Sequence, residues 1–151
     1  MAVYFGVVGA GSADAGEEAL LAAEEVGRLV AEAGGVVVSG GLGGVMESAC
    51  RGAKAAGGTT VGLLPGTERT AANRWLDVVI TTGLGEARNV LVVRASDVIV
   101  AVGGGYGTLS EIGFALKIGT PVVGIATWDV AGVEAVPTAV EAVTRGLELL
   151  A

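Results

Sequence analysis

Three glycine-rich segments carry the sequence features most suggestive of chemistry: Gly9-Ala10-Gly11-Ser12, Gly40-Gly41-Leu42-Gly43-Gly44 and Gly103-Gly104-Gly105-Tyr106-Gly107-Thr108. Each directly follows an apolar, β-branched run and opens a helical one. Glycine lets a backbone approach a phosphate closely, and the first N–H groups of a helix lack intrahelical partners and attract anions. Tight strand-to-helix turns also need glycine, so one such loop says little; three in one chain point to an anion site. Two side chains stand beside these loops. Arg88 has Leu84, Gly85, Leu91 and Val92 as its helical neighbours, none of them acidic. It is therefore either solvated or reaches across to a tertiary carboxylate or a ligand anion, and Asn89 next to it offers a further donor. Glu111 closes Thr108-Leu109-Ser110-Glu111, which fits a capping box at a helix start. On spacing alone capping is the simpler reading. The functional alternative sets a carboxylate beside a phosphate loop, where it would stabilise a cationic sugar or position a water.

Other chemistries are excluded by composition or spacing. The 151 residues contain no histidine and one cysteine, Cys50. Intrachain disulfides, Cys/His zinc sites and His-dependent nucleophilic triads are thus out of reach, and Cys50 reads as a small buried hydrophobe. No Gly-x-x-x-x-Gly-Lys-Ser/Thr segment exists. The dinucleotide fingerprint after the first strand fails because Asp14 occupies its third glycine position, and the second strand ends in Ser39 instead of a ribose-binding acid. Net charge is −7, with 9 basic against 16 acidic residues. That balance argues against a nucleic-acid partner, which needs clustered Lys and Arg.

The elements that must position these residues follow from the hydrophobic pattern. Apolar residues make up 52% of the chain and charged residues 17%, enough for one domain spanning 1–151 and too apolar for disorder. Strands are expected at Val3–Val8, Val36–Ser39, Thr60–Leu64, Val78–Thr81, Val98–Val102 and Pro121–Ile125. Most are continuous apolar runs, as in parallel strands buried on both faces. Helices are expected at Glu17–Ala33, Gly44–Ala56, Leu84–Ala95, Leu109–Ile118 and Pro137–Leu150. The alternation predicts an α/β, Rossmann-like doubly wound parallel sheet with helices on both faces. Its ligand crevice would lie at the carboxyl ends of the strands. Residues 66–77, the one long polar excursion, are expected to be a mobile loop. The aromatic pairs Trp75/Trp128 and Phe5/Phe114 read as core or interface. Apolar runs break well before the ~20 residues of a membrane span. The first residues read as a strand and not a leader, so the chain is expected in the cytoplasm, away from membranes.

Gly40-Gly41-Leu42-Gly43-Gly44-Val45-Met46 resembles the Gly-Gly-x-x-Gly-x-Met segment of the LOG-like superfamily of Rossmann-type proteins. Thr60–Pro65 is similar to its Gly-Val-Leu-Pro strand, and Arg88-Asn89 with Val98–Glu111 resembles its Arg-Lys…Pro-Gly-Gly-x-Gly-Thr-x-x-Glu signature. The superfamily includes cytokinin-activating phosphoribohydrolases, molybdenum cofactor carrier proteins and proteins once labelled lysine decarboxylases. Asn89 stands for the hydrolases' lysine, Gly103 for their proline and Ser110 for the first of their paired acids. The runs 107–112, 119–124 and 128–130 look closer to the carrier branch.

The resemblance implies a binding or carrier protein for a phosphorylated, nucleotide-like small molecule. No cofactor would be required; a nucleotide, phosphate or molybdenum cofactor would be the bound ligand. Its binding residues would be Gly11, Ser12, Gly40, Gly41, Gly43, Gly44, Met46, Arg88, Asn89, Gly104, Gly105, Tyr106, Gly107, Thr108 and Glu111. The resemblance also implies a homodimer or larger homo-oligomer. The alternative is a nucleoside 5′-monophosphate phosphoribohydrolase, with Arg88 and Glu111 catalytic, as at the matching hydrolase positions. Lysine decarboxylation is rejected: it normally needs a Schiff-base lysine, and neither Lys54 nor Lys117 has a plausible crevice position.

Overall fold

The computed structural model describes all residues, Met1–Ala151. Seven parallel strands form one sheet in the order β4-β3-β2-β1-β5-β6-β7. They are β1 (Tyr4–Gly9), β2 (Val36–Ser39), β3 (Thr59–Leu64), β4 (Val78–Thr81), β5 (Val98–Val102), β6 (Val122–Ile125) and β7 (Val133–Ala135). The helices are α1 (Glu17–Glu32), α2 (Val45–Ala55), α3 (Asn89–Arg94), α4 (Tyr106–Ile118) and α5 (Ala139–Leu150). This is the expected Rossmann-like α/β sheet. Strands β2 and β5 are buried at every position, which is why they read as unbroken apolar runs.

Two cores result, one on each face. On one face α1, α2 and α5 cover Phe5, Val7, Val37, Val98, Val100 and Val123. On the other, α3 and α4 cover Val8, Val38, Ile99, Ala101 and Val122. Phe5 is fully buried, whereas Phe114 is exposed on α4. No helix is long and apolar enough to cross a membrane.

Helices α1 and α2 cross almost backbone to backbone. A Cβ added at Gly27 would lie 1.9 Å from the Ala49 carbonyl oxygen, and one at Gly52 would lie 1.9 Å from that of Glu24. Gly27→Ala must therefore push the helices apart, and we expect it to cost about 2 kcal/mol, read as a lower denaturation midpoint at an unchanged m value. A midpoint at the wild-type value would show that the crossing tolerates a methyl group.

Four local expectations need correction. The helix expected over Leu84–Ala95 is a 3₁₀ turn at Gly85–Arg88 that runs into the six-residue α3, and Gly85, at φ +59°, keeps Leu84 out of it. Helix α4 begins at Tyr106, three residues before the expected Leu109. Strand β7 was not anticipated; its three residues include the charged Glu134, and it is a partly exposed edge strand. The excursion 66–77 is not free throughout: 66–71 are exposed, but the segment from Asn73 on is anchored. Asn73 N–H donates to the Gly41 carbonyl at 2.9 Å and its side chain to the Leu42 carbonyl at 3.0 Å. Asp77 pairs with Lys54 at 2.8 Å.

Candidate anion-binding site

Strand order reverses between β1 and β5, whose neighbours lie on opposite sides, so no crossover helix closes the space beyond their carboxyl ends. A crevice of about 370 Å³ opens there. Its floor is Val8, Gly9, Ala10 and Gly11 from the end of β1. One wall is the first turns of α4 and the loop before it, with Gly105, Tyr106, Gly107, Thr108 and Glu111. The other wall carries Leu42, Met46 and Pro65, with Gly85, Glu86, Arg88 and Asn89 beyond.

Nine expected residues thus meet in one cavity: Gly11, Met46, Arg88, Asn89, Gly105, Tyr106, Gly107, Thr108 and Glu111. Ser12, Gly40, Gly41, Gly43, Gly44 and Gly104 are not among the residues that line it. Several of these glycines make room. A Cβ at Gly40 would lie 2.6 Å from an Arg88 terminal nitrogen and 2.8 Å from the Met46 sulfur. One at Gly43 would strike the Ser12 hydroxyl oxygen at 1.9 Å. Gly44, at φ +68°, lets the Val45 N–H reach the Ala10 carbonyl at 3.0 Å, locking the first two glycine loops together. Gly104, at φ +106°, sits where a Cβ would meet the Thr108 hydroxyl oxygen at 2.3 Å. Leu42 and Pro65 line the crevice from segments the sequence singled out without naming them as site residues, and Glu86 carries no sequence signal at all. Asp14 was read only as a charge opposing a pyrophosphate, and it does lie on the rim.

Arg88 is buried, which removes the solvated reading. Its Nε donates to the Leu63 carbonyl at 2.8 Å and a terminal nitrogen to the Gly40 carbonyl at 3.3 Å. The other terminal nitrogen donates to Asn89 Oδ1. Asn89 in turn donates to the Ser110 hydroxyl at 3.1 Å. Asn89 therefore serves first to orient the arginine. The guanidinium hangs on the carboxyl ends of β2 and β3 by neutral acceptors. Burial pulls its pKa down, and the charges of Glu111 and Glu86 oppose that shift.

Glu111 overturns the capping reading. Because α4 starts at Tyr106 with Gly105 as its N-cap, Thr108 lies inside the first turn and caps nothing. Glu111 is 9% exposed and makes no hydrogen bond to the protein. The ion pairs of the chain all lie elsewhere, on its surface. Its exposure is into the crevice. Burial pushes its pKa up to about 8, against a downward pull from Arg88. At neutral pH the crevice thus presents a protonated carboxyl, a guanidinium and the start of a thirteen-residue helix. The N–H groups of Gly104, Gly105, Tyr106, Gly107 and Thr108 donate to no acceptor in the chain. Five adjacent donors without acceptors make a nest of the kind that can receive an anion. Lys54 and Lys117 do not line this crevice.

A family model described as the SLOG cluster4 family matches residues 2–146. An uncharacterized protein of Archaeoglobus fulgidus is 48% identical over 123 residues, covering 82% of this chain and 80% of its own. Among solved structures, the molybdenum cofactor binding protein from the phototrophic bacterium Rippkaea orientalis superposes with a TM-score of 0.95 at 34% identity. That match covers 100% of this chain and 99% of the other. The molybdenum cofactor carrier protein of Chlamydomonas reinhardtii superposes with a TM-score of 0.92 at 38% identity, covering 99% of each chain.

Proposed function

We propose that this chain, which belongs to the SLOG cluster4 family, is a binding or carrier protein for a phosphorylated, nucleotide-like small molecule, molybdenum cofactor included. The observation that carries this reading is the carboxyl of Glu111, without a partner in the chain, on the same wall as the free backbone N–H groups at the start of α4, in a crevice that also holds Arg88. A phosphate would satisfy the nest, and a polar edge of a ring or sugar would take the Glu111 proton. The similarity to two molybdenum cofactor binding proteins supports the carrier role. The residues present fit such a cargo: they supply anion donors and one neutral acid. Side chains Leu91, Phe114 and Ile118 stand exposed on the outer surfaces of α3 and α4, which supports the homodimer or larger assembly that the resemblance implies.

The direct test is to add molybdenum cofactor to the purified chain and measure protection of the cofactor against oxidation. Saturable protection that is competed by inorganic phosphate is the expected result. Protection no better than that given by an unrelated protein would overturn the reading.

The same Glu111 supports a second reading. A carboxyl protonated at neutral pH can protonate the leaving base of a nucleoside 5′-monophosphate while water adds to the sugar carbon, giving base and ribose 5-phosphate. Release of free base that is lost in Glu111→Gln would make the chain a phosphoribohydrolase.

A further inference from the structure

Next to the loop after β5 lies a segment outside the glycine-rich loops and outside the expected site residues. After β6 the chain turns through Ala126, the one non-glycine residue with positive φ, at +47°. A residue with a Cβ is strained in that region. The turn throws Thr127 and Trp128 back onto the loop after β5. Thr127 Oγ1 donates to the Gly103 carbonyl at 2.6 Å, and Trp128 Nε1 donates to the Gly105 carbonyl at 3.0 Å. Gly124 has no Cβ because Thr127 Cγ2 would lie 2.5 Å from it. The indole also holds the Tyr106 ring, with centroids 5.8 Å apart.

These two hydrogen bonds act on alternate peptide groups of the nest. In a trans peptide the N–H points opposite to the C=O. Fixing the Gly103 carbonyl toward Thr127 turns the Gly104 N–H away from it. The Gly105 carbonyl accepts from Leu109 N–H at 3.0 Å as well as from Trp128, and holding it between the two does the same for the Tyr106 N–H. Gly103 and Gly104 both have positive φ, +57° and +106°, and glycines move freely between such conformations unless held.

We propose that the turn Ala126–Trp128 is a positioning element of the anion site, which locks the Gly104 and Tyr106 N–H groups toward the phosphate. The inference rests on the anion-site reading above. Thr127 and Trp128 are positioning residues, since they act through the backbone of the loop.

The test is a titration of the purified chain with inorganic phosphate, followed on the backbone amide signals of Gly104 and Tyr106. Thr127→Val keeps the shape of the side chain and removes its hydroxyl; Trp128→Phe removes the indole N–H. Each is expected to weaken phosphate binding about fivefold, the worth of one net hydrogen bond, and to shift the two amide signals before any phosphate is added. Thr127→Ser keeps the hydroxyl and should bind like the wild type. Wild-type binding together with unchanged affinity in Thr127→Val and Trp128→Phe would overturn the inference alone. So would equal losses in Thr127→Ser and Thr127→Val. A wild-type chain that binds no phosphate would overturn the anion-site reading, and the inference with it.

Discussion

Arg88→Ala should abolish phosphate binding and lower the melting temperature by about 10 °C. The guanidinium lies in the interior and serves three acceptors: the carbonyls of Leu63 and Gly40 and the Asn89 side chain. Alanine leaves two buried carbonyls without donors, at roughly 1–3 kcal/mol each, and opens a cavity beside Met46. A total near 4 kcal/mol corresponds to about 10 °C for a domain of this size. The ligand loses the one cation of the crevice at the same time. Lysine at this position keeps the charge but cannot serve three acceptors in a planar fork, so Arg88→Lys should recover part of the binding and little of the stability. Thermal unfolding with and without phosphate checks both effects. An alanine variant that melts normally and binds normally would remove Arg88 from the site.

The second large effect concerns Glu111 and its proton. The folded chain keeps that proton up to about pH 8, whereas the ordinary carboxyl value is 4.5. Below pH 4.5 both folded and unfolded chains carry it, and this group adds no pH dependence. Between about 4.5 and 8 the unfolded chain has released the proton and the folded chain has not. Stability therefore falls as pH rises through that window, by up to roughly 1.4 kcal/mol per pH unit from this one group, and levels off above it. Glu111→Gln removes the contribution. The difference between the two melting curves should accordingly widen from pH 5 to pH 8 in favour of glutamine.

Phosphate binding should follow the same proton in the same direction, falling as pH rises. Above pH 8 a carboxylate faces the nest and repels the anion, so wild-type affinity should drop steeply there while the glutamine variant keeps its neutral-pH value. Parallel pH profiles in the two proteins would show that Glu111 does not face the ligand.

Much of the architecture was legible because parallel strands buried on both faces cannot hide: Val36–Ser39 and Val98–Val102 are pure apolar runs and fall as expected. The failures have local causes. Thr108 to Glu111 has capping-box spacing, but Gly105 starts the helix three residues early and carries the acid one turn inward, from rim to interior. Gly85 breaks a periodic helical pattern by adopting a left-handed conformation. Arg88 stood out as an unpartnered charge and Glu111 as a capping candidate, yet that the two share one crevice depends on the return of the chain from β4 to β5, which no local pattern encodes. Thr127 and Trp128 gave no sequence sign of their bonds to Gly103 and Gly105, since a side chain donating to a distant carbonyl leaves no periodicity.

Cys50 is fully buried where α2 meets the end of β2, with its sulfur 3.7 Å from the Ser39 hydroxyl. Burial holds its thiol in the unreactive protonated form. Ser39 leads directly into the Gly40 loop, and the 66–77 segment is fastened to that loop through Asn73. Because no other sulfhydryl exists in the chain, the molecule carries its own stopwatch. A thiol reagent can react only during the brief intervals when this corner separates from the sheet. The rate of modification therefore counts the breathing of one wall of the crevice, residue by residue unlabelled, and a cargo that bridges both walls would slow the clock.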